Sequence, residues 1–157
     1  MSRYVRSNRP LVAAALAELR ALGRDIDHTD QAAADRFGVN RTDLRGLELL
    51  AMARAIAPTA LAAALGFTTG GVTTVIDRLE RAGYATRRPD PNDRRRVVVE
   101  ATELLLARET EIFGELLRST EALVASYSDA ELVTIRDFLE RMRKVIVAQG
   151  NAAGAAG

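Results

Sequence analysis

Two adjoining stretches of the sequence concentrate side chains able to grip a polyanion. The first reads Thr68-Thr69-Gly70-Gly71-Val72-Thr73-Thr74-Val75-Ile76-Asp77-Arg78-Leu79. Val72, Ile76 and Leu79 recur at helical spacing and define an inward face. Thr69, Gly70, Thr73 and Thr74 are left on the outer side of the N-terminal end, with Thr68 as the cap. Threonine hydroxyls reach phosphates or base edges, and threonine methyls meet the methyl group of thymine. Gly70 and Gly71 each cost a helix up to about 1 kcal/mol, a cost that close approach to a nucleic-acid backbone would explain.

The second stretch follows at once. From Arg78 to Arg96 there are seven arginines against three acids, Glu80, Asp90 and Asp93, a local net of +4 in a chain whose overall net charge is only +1. The remainder of the chain is therefore net negative. Positive charge gathered beside a helix end is the footprint expected of a phosphate-binding face. Arg78, Arg88, Arg94, Arg95 and Arg96 are its candidate contacts. Arg94 and Arg95 have the reach to enter a narrow minor groove, and Asp93 is placed to pair with one of these two and hold the loop in shape. Lys144 is the only lysine among the 22 basic residues. That bias suits bidentate phosphate and guanine contacts, and it equally suits a GC-rich genome.

Several elements must position these groups. Pro58 to Leu65 is a short helix opened by proline at its first position and ended by Gly66. Only Gly66-Phe67-Thr68 separates it from the threonine-rich helix, which is the spacing of a helix-turn-helix. Tyr84 to Arg88 and Arg96 to Ala101 read as two strands, the second with the β-branched run Val97-Val98-Val99. The turn-forming Pro89-Asp90-Pro91-Asn92-Asp93 lies between them, so a β-hairpin, or wing, follows directly. Upstream, a helix starts near Pro10 and carries Val12, Leu16, Leu19 and Ile26. It extends, with a break expected near Asp27 to Asp30, as far as Phe37, where Gly38 stops it. Asn40 caps a helix with Leu44, Leu47 and Leu50 on one face. Downstream, Thr102 caps a helix with two apolar rows, and Ser128 with Glu131 has capping-box spacing ahead of a last helix.

The expected architecture is mainly α with a small β-hairpin wing: a winged helix-turn-helix module at 40–101, framed by helical regions at 10–37 and 102–148. A disordered Ala/Gly-rich tail is expected at 149–157. The framing helices carry more apolar surface than the module can cover, and a second copy of the chain is the simplest cover. Leu16, Leu19, Leu132, Ile135, Leu139, Met142 and Ile146 are the expected dimer contacts, and a two-fold dimer would present two recognition helices one turn of DNA apart.

Composition excludes much else. There are no cysteines and one histidine, His28, so disulfides, thiolate metal sites and multi-histidine sites are ruled out and no metal or cofactor is expected. No phosphate-binding glycine loop or nucleophile elbow is present, which argues against an enzyme. With no apolar run long enough for a membrane span and no secretion signal at the polar N-terminus, the expected compartment is the cytoplasm. The competing function is a winged helix used to bind protein or as a non-specific architectural DNA module.

The segment Asp77-Arg78-Leu79-Glu80-Arg81-Ala82-Gly83-Tyr84, followed by Asp93-Arg94-Arg95 on the wing, resembles the MarR family of bacterial regulators. The helix order extends the likeness over roughly residues 10 to 147. The resemblance implies a homodimer on double-stranded DNA, a pseudo-palindromic site, and repression relieved by a small phenolic or anionic effector. It assigns Thr69, Thr73 and Thr74 to the major groove and Arg95 to the minor groove. Many relatives have Arg, His or Asn where Thr74 stands, which shifts base reading here towards shape and methyl contacts. The family's effector pocket lies between the DNA module and the dimer helices, for which His28, Asp43, Arg45 and Met52 are the candidate lining residues.

Overall fold

The computed structural model describes residues 9–154, divided between two compact units, Met1–Ile112 and Phe113–Gly157. The first unit opens with α1 (Arg9–Phe37), α2 (Arg41–Ala53), the two-residue strand β1 (Ala55–Ile56), α3 (Pro58–Leu65) and α4 (Thr69–Arg81). Strands β2 (Ala85–Pro89) and β3 (Val97–Ala101) follow, and then α5 (Glu103–Ala125), which runs into the second unit. Helix α6 (Asp129–Gly154) completes the chain.

Local chemistry sets the helix ends as the residue types require. The Asn40 side chain accepts from the Asp43 amide at the start of α2. The Thr102 hydroxyl accepts the Leu105 amide at 3.2 Å while donating to the Gly83 carbonyl at 2.7 Å. The core of the first unit is built from Leu44, Leu47 and Leu50 of α2, Leu61 of α3, Val72, Val75, Ile76 and Leu79 of α4, Val99 of β3 and Leu105 of α5, all at most 1% exposed. Helices α2 and α4 meet at Gly46, where an added Cβ would stand 3.1 Å from Val75 Cγ1; only glycine allows this approach without repacking. Tyr84 packs edge-on against Phe37 and donates its hydroxyl to the Phe37 carbonyl at 2.9 Å, joining the end of α1 to the turn before β2.

Three features go beyond the sequence reading. The first helix has no break at Asp27 to Asp30. Thr29 bonds back to the Asp25 carbonyl at 2.8 Å, and Asp27 and Asp30 both receive Arg41 of α2, so the polar stretch is satisfied while remaining helical. The expected hairpin wing is present, and β1 joins it in a three-stranded antiparallel sheet of order β1-β3-β2. Ala55 and Ile56 pair with Glu100 and Val99. The chain enters β1 through Arg54, a non-glycine residue at φ 63° whose amide bonds the Leu50 carbonyl and whose carbonyl accepts from Ala101. Finally, α6 does not end near residue 148 but continues to Gly154, consistent with the high helix propensity of alanine; 155–157 lie outside the described residues.

In the second unit, Ser128 donates both its amide and its hydroxyl to Glu131 Oε2, at 2.9 and 2.6 Å. These two bonds hold the Glu131 carboxyl below its ordinary pKa. Helix α6 leaves Val133, Phe138, Leu139, Val145, Ile146 and Val147 exposed.

Candidate nucleic-acid interface

The helix-turn-helix is fixed by its caps. Gly66 closes α3 in the left-handed region at φ 71°, a conformation glycine adopts at no steric cost, and the Phe67 amide then bonds the Ala62 carbonyl at 2.9 Å. Thr68 caps α4 by accepting the Gly71 amide at 3.2 Å. The axis turns through 106° between the two helices, within the range of DNA-binding units of this kind. Ala57 supplies no side-chain cap to α3, where Pro58 presets the first turn instead. With Val72, Val75, Ile76 and Leu79 buried, Thr69, Gly70, Thr73 and Thr74 stand exposed at the leading end of α4.

The wing is a hairpin whose register runs from Ala85 opposite Ala101 to Pro89 opposite Val97. Pro89 is tolerated because it ends an edge strand. The loop is shaped by its two acids. Asp90 Oδ1 accepts the Asn92 amide at 2.8 Å and Asp93 Oδ1 the Arg95 amide at 3.1 Å, while Asp93 Oδ2 lies 3.6 Å from Arg96 Nε. Asp93 therefore braces the loop, but its ion-pair partner is Arg96 and not Arg94 or Arg95 as expected.

Arginines of the basic cluster divide into two kinds. Arg94 and Arg95 are exposed at the tip and make no salt bridge among the described residues. Arg88 and Arg96 are exposed and loosely paired, Arg88 with Glu100 at 3.1 Å, so both keep solvent access and their charge is partly offset. Arg87 serves the fold: it donates to Asp77 Oδ1 at 2.7 Å and to both Glu80 oxygens through its amide and guanidinium. It ties the base of the wing to α4.

Arg78 has a structural partner that the sequence reading lacks. Its Nε and Nη2 each donate to an oxygen of Asp43, both at 2.7 Å, and this bonding raises the arginine pKa. Asp43 is 2% exposed and also receives the Asn40 side-chain amide at 2.8 Å. Arg78 thus turns the Nε/Nη2 edge of its guanidinium towards α2. The oxygens of Asp43, a candidate for the effector pocket, are thus occupied internally. The other candidates for that pocket do not gather around it. Met52 is 83% exposed, and His28 and Arg45 are also exposed. Sequence periodicity could not reveal the pair, since its members lie 35 positions apart.

Beyond these expectations, Glu48 of α2 has its pKa raised, first by desolvation and then by Asp30 of α1. Among the described residues, no group of three or more His, Cys, Asp or Glu side chains is arranged to hold a metal ion. No single helix among them is long and apolar enough to cross a membrane.

A helix-turn-helix with an exposed recognition end, followed by a basic hairpin clamped to it, defines a winged helix-turn-helix of the DNA-binding class. A model of the MarR family matches residues 37–96. The HTH-type transcriptional regulator YcgE of Bacillus subtilis (strain 168) is 36% identical over 127 residues, covering 81% of this chain and 82% of YcgE. Two solved structures share the fold. A MarR family protein from Bacillus stearothermophilus superposes with a TM-score of 0.63 at 18% identity, covering 89% of this chain and 98% of that one. NadR, solved in complex with 4-hydroxyphenylacetate, superposes with a TM-score of 0.57 at 21% identity, covering 92% and 97%. The chain belongs to the MarR family. It is a DNA-binding transcriptional regulator, and members of this family are regulators, not enzymes.

Proposed function

We propose that the protein is a homodimeric, sequence-specific repressor that binds a pseudo-palindromic operator in the cytoplasm and is released by a small phenolic or anionic effector. The observation that carries the DNA-reading part is the bonding of Arg87 to Asp77 and Glu80. It makes the wing and the recognition helix one surface, with Thr69, Thr73 and Thr74 for the major groove and the unpaired Arg94 and Arg95 for phosphates or the minor groove.

The dimer rests on uncovered apolar surface. In α1, Leu11, Val12, Leu16, Leu22 and Ile26 are 44% to 70% exposed. In the second unit, Leu123, Val124, Tyr127, Leu132, Ile135 and Leu139 line a groove of about 1230 Å³. Surfaces of this kind on a small regulator are best buried by an identical chain. Of the expected contacts, Leu139 and Ile146 are 49% and 62% exposed, while Leu19, Leu132, Ile135 and Met142 are partly covered within their own chain.

The effector reading rests on the family and on NadR, whose bound 4-hydroxyphenylacetate is both phenolic and anionic. Selection of bound duplexes from a random pool tests the whole proposal. Recovery of a palindrome, with dissociation on adding 4-hydroxyphenylacetate or a related phenolic acid, is the expected result. Recovery of unrelated sequences would contradict it and favour a non-specific architectural protein.

A further inference from the structure

The exposed face at the leading end of α4 has an unusual donor inventory. The Thr73 hydroxyl donates to the Thr69 carbonyl at 2.9 Å and the Thr74 hydroxyl to the Gly70 carbonyl at 3.3 Å. A hydroxyl has one proton, so Thr73 and Thr74 are left with a methyl group and acceptor lone pairs, while Thr69 keeps a single hydroxyl donor, short of the pair that guanine calls for. Gly70 leaves bare backbone on this face: a Cβ built there would enter open space, with nothing within 4 Å. Asp77, farther along the same face, accepts only and is bonded to Arg87. Arg78 is committed to Asp43. The next basic residue on α4, Arg81, is in the last turn, about 16 Å along the axis from Gly70 at 1.5 Å per residue.

Base edges in the major groove differ in what they need. Guanine shows two acceptors, N7 and O6, and is read by paired donors such as arginine. Thymine shows a methyl group, and its partner adenine shows the N6 amino donor. A face with methyls, acceptors and bare backbone at Gly70, and without a cation or side-chain amide, suits the second pair and not the first. Resting on the reading of α4 as the recognition helix, we infer that this regulator selects A·T pairs at the centre of each half-site. The thymine methyl seats at Gly70 against Thr73 and Thr74, and the adenine amino group donates to a threonine oxygen. Gly70 and the two threonines are its specificity-determining residues.

The test uses the full-length protein and duplexes selected from a random pool, resynthesised with deoxyuridine in place of thymidine. This exchange removes the methyl and keeps the base pairing. Substitution at the half-site centre should weaken binding about fourfold per methyl, the loss expected for one buried carbon, whereas substitution in the flanks should change nothing. Gly70→Ala should stabilise the free protein, as alanine favours helix, and yet lower affinity for the thymidine duplex at least tenfold. It should lower affinity for the deoxyuridine duplex much less. Equal binding of both duplexes by the unaltered protein, or half-sites centred on G·C, would overturn this inference and leave the regulator reading intact. Failure to bind any duplex at low salt would instead overturn the DNA-binding reading beneath it.

Discussion

Arg78 of α4 grips Asp43 of α2 through two parallel hydrogen bonds, each of 2.7 Å. One partner is buried and the other is not: the Asp43 side chain is 3% exposed and that of Arg78 36%. This asymmetry predicts which substitution hurts more. Arg78→Ala strands a buried carboxylate and should cost about 2–4 kcal/mol, somewhat below a fully enclosed pair because water reaches the guanidinium. Adding Asp43→Leu to Arg78→Ala should recover part of that loss by removing the stranded charge. Urea unfolding of the single and double variants measures both steps. A double variant less stable than Arg78→Ala alone would contradict this account of the pair.

A second prediction concerns the exposed face of α6. Leu139→Glu with Ile146→Glu should leave the helical content unchanged and yield monomers by sedimentation. Operator affinity should fall by at least tenfold, since a monomer engages one half-site only. Dimers of native size carrying both changes would remove these residues from the interface.

The Ser128–Glu131 box supplies a pH prediction. Two hydrogen bonds to the ionised carboxylate lower the Glu131 pKa in the folded chain. A depressed folded pKa contributes stability above the ordinary glutamate range, and that contribution is lost as pH falls through the folded value. Glu131→Gln should therefore destabilise at neutral pH, and its difference from the unaltered protein should shrink towards acid. Thermal melts across pH 3 to 7 read this directly, and a difference independent of pH would argue against it.

What was legible in the sequence is what depends on neighbours along the chain. Gly66, Thr68 and Pro58 set the helix-turn-helix by capping, and the caps lie within three or four residues of the groups they satisfy, so reading them needs no fold. The same holds for Asn40, Thr102 and Ser128. What escaped depends on partners far apart. Arg78 looked like a phosphate contact because it opens a basic run, and nothing local shows that Asp43 claims it. Strand β1 escaped because two residues, Ala55 and Ile56, carry no alternation of their own and pair only once Val99 and Glu100 arrive. The continuity of α1 through its aspartates likewise depends on Arg41 of the next helix. His28, Asp43, Arg45 and Met52 follow no common spacing, so the sequence holds no comparable signal for an effector pocket.

The proposed DNA grip combines the wing tip with the leading end of α4, Arg94 and Arg95 contacting DNA and Arg87 holding the two elements in place. Titration of the selected duplex at several salt concentrations tests it most directly. Replacing Arg94 and Arg95 with alanine should leave the melting temperature unchanged and flatten the slope of log affinity against log salt by roughly one unit for each phosphate that the protein no longer neutralises. Arg87→Ala should lower the melting temperature and weaken binding together. An unchanged salt slope in the Arg94→Ala, Arg95→Ala variant would contradict the account.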